Sequence, residues 1–178
     1  MDDQLSNDHA VLGKLLGEVL DALEAGDLAR SHARLDLFWA RLAMHIRAEH
    51  LHLFPAILRN AKDTSGVNTG AVLSQPEILS AIEQLRSDHD FFMHELGGAM
   101  ETMRELLASK DRPSTERDLK PVRARVVAIA ERLATHNTLE ESHVYLWTNT
   151  LLTKDEQQEL EMLVHGELGN LPPRFKER

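Results

Sequence analysis

His45-Ile46-Arg47-Ala48-Glu49-His50-Leu51-His52 sets two imidazoles and a carboxylate into what is otherwise an apolar helical stripe. That stripe runs Leu35, Phe38, Leu42, His45, Glu49, His52, Ala56, with the steps of three and four residues that mark one face of a helix. The polar groups therefore fall where a helical bundle places its core. The same block returns as His136-Asn137-Thr138-Leu139-Glu140-Glu141-Ser142-His143, again inside an apolar series (Val122, Val126, Ile129, Leu133, then Trp147). Each HxxxExxH block is preceded by an LxxDH element, Leu5-Ser6-Asn7-Asp8-His9 for the first and Leu85-Arg86-Ser87-Asp88-His89 for the second. Burying a carboxylate or an unpaired imidazole is costly unless a partner compensates, so intrusions repeated at matched places point to a shared ligand. A pair of metal ions is the expectation.

The other segments are helical too. Leu5, His9, Leu12, Leu16, Val19 and Leu23 form a first stripe stopped by Gly26, and a second helix is expected from about Asp27 to Asn60, bent near Pro55. Lys62 to Gln75 shows no sustained period and reads as a loop. Ser74-Gln75-Pro76-Glu77 reads as a capping box opening a third helix, whose stripe passes through Ile78, Ile82, Leu85, His89, Phe92 and Leu96. Ser109 to Thr115, with Pro113, closes it. Thr153-Lys154-Asp155-Glu156 offers another capping box for a short last helix ending near Gly166, and the tail from Pro172 onward is expected to fray. The fold class is all-α: an up-down-up-down four-helix bundle with a short extra C-terminal helix, the domain covering residues 1–168 and the tail 169–178.

Antiparallel neighbours give a check on the ligand set, because facing residues lie equally far from the turn that joins their helices. The midpoints of His9 and His45, of His45 and His89, and of His89 and His136 fall beside Gly26, beside Gly66, and between Arg112 and Pro113. All three are breaks found independently, which puts the four histidines on one level. Residues four apart share a helix face, so His45 with Glu49 and His136 with Glu140 can reach a common centre. The candidate metal ligands are His9, His45, Glu49, His89, His136 and Glu140. Two carboxylates on different helices can each bridge two ions, and such a nitrogen and oxygen set suits iron or manganese better than magnesium, with zinc also acceptable.

Composition narrows the function classes. The 178 residues carry a net charge of −9 and no cysteine. Thiolate metal sites, disulfides and cysteine nucleophiles are excluded, and a nucleic-acid footprint is disfavoured. An acidic N-terminus and the lack of a long apolar run lead to the expectation of a soluble cytoplasmic protein that does not engage a membrane.

Taken together, His9, His45xxxGlu49 with the following Leu53-Phe54-Pro55, His89, and His136xxxGlu140-Glu141 resemble the hemerythrin-like, or HHE cation-binding, family over roughly Leu5 to Trp147. The resemblance implies a four-helix bundle around a non-haem centre of two iron ions. It also implies a small partner such as O2, peroxide or NO, or a role in holding iron. The alternative is a non-catalytic metal-storage or metal-dependent regulatory module, and self-association is left open. Oxygen-carrying members have a second histidine four residues after the first in the third helix, where this chain has Met93; the loss leaves an open position and favours reaction or sensing over carriage. His94 would reach the site only through a π-bulge. In oxygen carriers the fourth-helix carboxylate falls where Glu141 stands, but the match of Glu140 to Glu49 across the repeat favours Glu140. The family's iron-cluster repair proteins carry a cysteine-containing N-terminal segment, so that role is disfavoured.

The remaining polar and aromatic residues take modest readings. His52 and His143 read as supporting groups rather than ligands. Asp8 and Asp88 lie about 100° around the helix from their histidines and are expected to face a neighbouring helix or solvent, with stabilisation of the helix N-terminus the plainest role for Asp8. Tyr145, Trp39 and Trp147 are expected to be packing residues, and His32, His50 and His165 surface residues.

Overall fold

The computed structural model describes residues 2–63, 74–109 and 115–175, and the described residues form helices and turns without strands. The helices are α1 (Asp2–Glu24), α2 (Leu28–Ala48), α3 (Phe54–Asp63), α4 (Gln75–Ala108), α5 (Glu116–Leu139), α6 (Tyr145–Leu151) and α7 (Lys154–Leu168). Most of the expected 62–75 loop and the expected break around Pro113 lie outside the described residues. None of the described helices is long and apolar enough to cross a membrane.

Gly26 ends α1 at φ 71°, with Asp27 N–H bonded to Ala22 O (2.9 Å) and Gly26 N–H to Leu23 O (3.2 Å). These are the two bonds of a Schellman motif, which needs a left-handed residue at that place. Asp27 then caps α2 by accepting from Arg30 N–H at 3.0 Å. Gly26→Ala is expected to lower stability by about 1 kcal/mol, the cost of a side chain in the left-handed region, read as a lower urea midpoint at unchanged slope. Both expected capping boxes form, Ser74 with Glu77 and Thr153 with Glu156, and Thr115 with Asp118 makes a third.

α1 packs on α2, α2 on α4, α4 on α5 and α5 on α1, closing a ring of four. Their apolar faces build two clusters. One holds Leu12, Leu42, Phe92 and Leu133; the other holds Leu5, Leu53, Leu85 and Val144. Between them lies a polar layer. Along α1 and α4 the chain passes from the second cluster through that layer into the first, and along α2 and α5 it passes the opposite way.

Two expectations on regularity are corrected. The single bent helix across Pro55 is instead α2, a π-helical turn at Glu49–Leu53, and α3; the stripe through His136 and Trp147 is broken by a second π-turn at Glu140–Val144. Phe54 N–H bonds to Glu49 O and Tyr145 N–H to Glu140 O, each five residues back. Pro55 lacks an N–H and its ring would press on the preceding turn, which explains a widened turn before it. The second π-turn contains no proline. What the two share is a first residue, Glu49 or Glu140, in the polar layer, and single π-turns concentrate at functional sites.

The tail is also less free than expected up to Phe175. Arg174 clamps Asp36 of α2 with two hydrogen bonds of 3.2 and 2.9 Å, fixing a 3-10 turn at Pro173–Phe175.

Candidate metal centre

The structure brings the six sequence-derived residues to one level, all between 0% and 5% exposed. They form two halves. In the first, His9 Nε2 faces His45 Nε2 at 3.2 Å; in the second, His89 Nε2 faces His136 Nε2 at 3.2 Å. Glu49 and Glu140 span the halves. Glu49 directs Oε1 to His45 Nε2 (3.5 Å) and Oε2 to His89 Nε2 (3.3 Å), while Glu140 directs Oε2 to His9 Nε2 (3.1 Å) and Oε1 to His136 Nε2 (3.1 Å).

The outer ring nitrogens explain why the Nε2 atoms point inward. His45 Nδ1 lies 3.0 Å from Asp8 Oδ2, and His136 Nδ1 lies 3.3 Å from Asp88 Oδ2. His9 Nδ1 lies 2.8 Å from Glu141 Oε1, and His89 Nδ1 lies 2.9 Å from His50 Nε2. A carboxylate accepts only, so His9, His45 and His136 each carry a proton on Nδ1, which leaves Nε2 as the atom turned to the centre. Arg41 holds Asp8 at 2.6 Å and Arg132 holds Asp88 at 2.7 Å. Carboxylates behind ligating histidines are the usual means of fixing ring tautomer and orientation.

Asp8 is thus not a helix-terminus residue but an orienting partner across the helix interface, and Asp88 repeats it. His50 is not a free surface residue: it is half-buried against His89, and burial, followed by the charge of His89, pushes its own pKa down, which suits an acceptor. Glu141 sits outside, on the far face of His9, leaving Glu140 as the inward carboxylate. His52 stands beside Glu167 of α7 at 3.9 Å, His143 is exposed next to Ser142, and His94 is 79% exposed on an unbroken α4. None of the three joins the cluster.

Sequence reasoning missed Tyr145. Its ring is buried as expected, but its hydroxyl lies 3.1 Å from His9 Nε2, 3.1 Å from Glu49 Oε1 and 3.2 Å from Glu140 Oε2. In an ordinary helix the fifth residue after Glu140 lies about 140° away around the axis. The π-turn absorbs one residue and returns Tyr145 to the face of Glu140.

Buried charge is balanced by protons here. Burial opposes the imidazolium of His45, but the Glu49 charge beside it, the Asp8 and Glu49 hydrogen bonds and the Glu140 charge outweigh it and raise its pKa from 6.5 to about 10. His136 is raised likewise, with Glu140 as the main cause against burial. Burial opposes the Glu49 carboxylate as well, yet His45 and His89 hold it well below its ordinary value. Tyr145 is pushed well above 10 by burial and then by the two glutamates.

The donor set fits a cation better than a hydrogen-bond network. Glu49 Oε2 and Glu140 Oε1 are buried and, despite lying within 3.3 Å of histidine nitrogens, have no partner at hydrogen-bonding angles. Atoms aimed at a common point rather than at one another behave this way. Two donors about 2.1 Å from one ion and at right angles lie about 3 Å apart, close to the 3.1–3.5 Å separations found. Ligand atoms of Glu49, His89, His136 and Glu140 all lie within 4.8 Å of one another, as do those of His9, His45 and Glu140.

An all-helical bundle with a buried histidine and glutamate cluster able to hold a metal defines a class, the metal-binding helical bundles. The sequence model of the Hemerythrin HHE cation binding domain matches residues 1–147, and the chain belongs to that family. No curated protein and no solved structure matches the chain.

Proposed function

We propose that this chain holds two iron ions between α1, α2, α4 and α5, and that the centre binds, senses or reacts with O2, peroxide or NO. His9 and His45 would hold one ion and His89 and His136 the other, with Glu49 and Glu140 placed between the halves to serve both. Iron at this place supplies a one-electron couple and an open coordination position for a small ligand. The chain's own groups fix the rest: Asp8, Asp88, Glu141 and His50 hold the imidazoles in their ligating orientation, and the two apolar clusters keep bulk water away. The observation that carries the reading is the pair of orphaned carboxylate oxygens, Glu49 Oε2 and Glu140 Oε1, facing imidazole nitrogens they do not hydrogen-bond.

The alternating passage of the four helices between the two clusters supports the up-down-up-down order, and the clamp of Arg174 on Asp36 ties the tail to a domain of residues 1–168. Met93 occupies the place where the resemblance implies a further histidine. Its sulfur accepts from Trp39 Nε1–H at 3.3 Å, so the thioether is already engaged.

Near-complete burial of the cluster favours one rival, a storage or regulatory module whose metal stabilises the fold without turnover. Metal analysis after expression in iron-rich medium is expected to give two iron ions per chain, and clearly fewer than one would contradict both readings. Exposing the reduced, loaded protein to O2 or peroxide separates them: a new charge-transfer band means chemistry at the open position, and a silent spectrum with two ions bound means a structural metal.

A further inference from the structure

The two halves of the centre are related by an internal repeat that extends well beyond the six ligating residues. Asp8 and Asp88 each precede a histidine by one, and Arg41 and Arg132 each precede one by four. His50 and Glu141 each follow a bridging glutamate by one, and each touches the outer nitrogen of a histidine. The fifth residue after each glutamate, just past its π-turn, is Phe54 in the first copy and Tyr145 in the second. Phe54 stacks on His89 with ring centroids 6.1 Å apart and 12° between planes, and Tyr145 stacks on His9 at 5.7 Å and 26°. The aromatic pair thus obeys the repeat in place and orientation and breaks it by one hydroxyl.

That hydroxyl is crowded by acceptors. His9 Nε2 carries a lone pair, because Nδ1 donates to Glu141, and Glu49 Oε1 and Glu140 Oε2 are carboxylate oxygens. A phenol has one hydrogen for these three neighbours. An oxygen surrounded by electron-rich atoms at about 3 Å marks a donor position on the ion they share. The His9, His45 and Glu140 atoms make a three-donor group whose next corner is the Tyr145 oxygen.

We propose that Tyr145 is a seventh protein donor, binding as phenolate the ion held by His9 and His45, and that the ion held by His89 and His136, beside Phe54, is the site of an outside ligand because it receives no such donor. The inference rests on the two-iron reading above. Loading breaks the Tyr145 O–H bond, forms an oxygen–iron bond and delivers the proton to solvent. Tyr145 thus adds to the His9, His45 and Glu140 group one oxygen donor that the other half does not receive, since Phe54 has nothing to offer.

The test is the iron-loaded, oxidised protein with Tyr145→Phe and Phe54→Tyr, each assayed for metal content. Wild type is expected to show a visible tyrosinate-to-iron(III) band whose excitation enhances phenolate ring modes in resonance Raman spectra. Y145F is expected to keep two irons and lose both signals, and F54Y to gain a second phenolate contribution. Azide, as a probe anion, is expected to bind more tightly to Y145F and less tightly to F54Y than to wild type. Two irons in wild type without phenolate modes overturn the assignment while leaving the two-iron reading standing, because Tyr145 is the only tyrosine of the chain. Fewer than one iron in wild type fails that reading instead. Should Y145F not fold, the presence or absence of phenolate modes in wild type decides alone, since no other residue of the chain can supply them.

Discussion

Glu140→Gln is expected to cut metal content from two ions per chain to fewer than one, a loss that Glu49→Gln is expected to match. The reason lies in how the two oxygens are shared. Oε2 faces His9 and Oε1 faces His136, so this one side chain serves both halves. A glutamine of the same shape keeps one neutral acceptor oxygen and presents an NH2 group to the other half, where imidazole lone pairs already converge. The opposite face of His9 gives the control. Glu141 touches only the outer nitrogen, at 2.8 Å, so Glu141→Gln is expected to retain two ions with affinity lowered about 10- to 100-fold, the usual effect of losing an orienting partner. Metal analysis of both variants, with competitive chelator titrations, reads the ranking. The reverse order would make Glu141 the bridge and break the pairing of Glu140 with Glu49.

The amino-acid sequence already carries that ranking, because Glu49 and Glu140 hold the same place in two copies of one block. A spacing of four within a helix, and equal distances of His9 and His45 from position 27, beside Gly26, are properties that one dimension carries. The groups around the ligands are harder to read for two physical reasons. Asp8 and Asp88 sit a helical step away from their own histidines, and their partners, His45 and His136, belong to neighbouring helices. Only tertiary packing joins them. Tyr145 is hidden by a change of period, since a π-turn lets the fifth residue take the face that an ordinary helix gives to the fourth. A signal for both is present, however. Asp before His, Arg four before His, and an aromatic five after Glu recur in both copies, and recurrence of outer residues at fixed offsets marks a shell that must be built twice.

Removing the metal is expected to lower the melting temperature by about 8–16 °C at neutral pH, and the gap is expected to widen as pH rises. The first part is mass action: two ions, each present at about thirty times its Kd, together stabilise the fold by about 4 kcal/mol, and each kcal/mol moves the midpoint of a protein this size by about 2–4 °C. The second part follows from what replaces the metal. In the metal-free protein protons supply the positive charge, and the folded-state pKa of His45 is raised from 6.5 to about 10, with His136 raised in the same direction. A group whose pKa is higher in the folded state stabilises fully below its unfolded value and loses that contribution as pH climbs through the folded one. Metal-free stability is therefore expected to hold up to about pH 6.5 and decline toward pH 10. Glu49 works in the other direction: its depressed value supplies stability above pH 4.5 that disappears only on stronger acidification. In the loaded protein the ions take the place of the imidazole protons, so the alkaline decline is absent. The exchange also means that loading near neutral pH releases protons and that affinity falls on acidification, because imidazole ligates only when neutral. Melting curves of both forms from pH 6 to 10, with proton release measured during loading in weakly buffered solution, test this. Parallel curves with no proton release would show that the histidines are already neutral before the metal arrives.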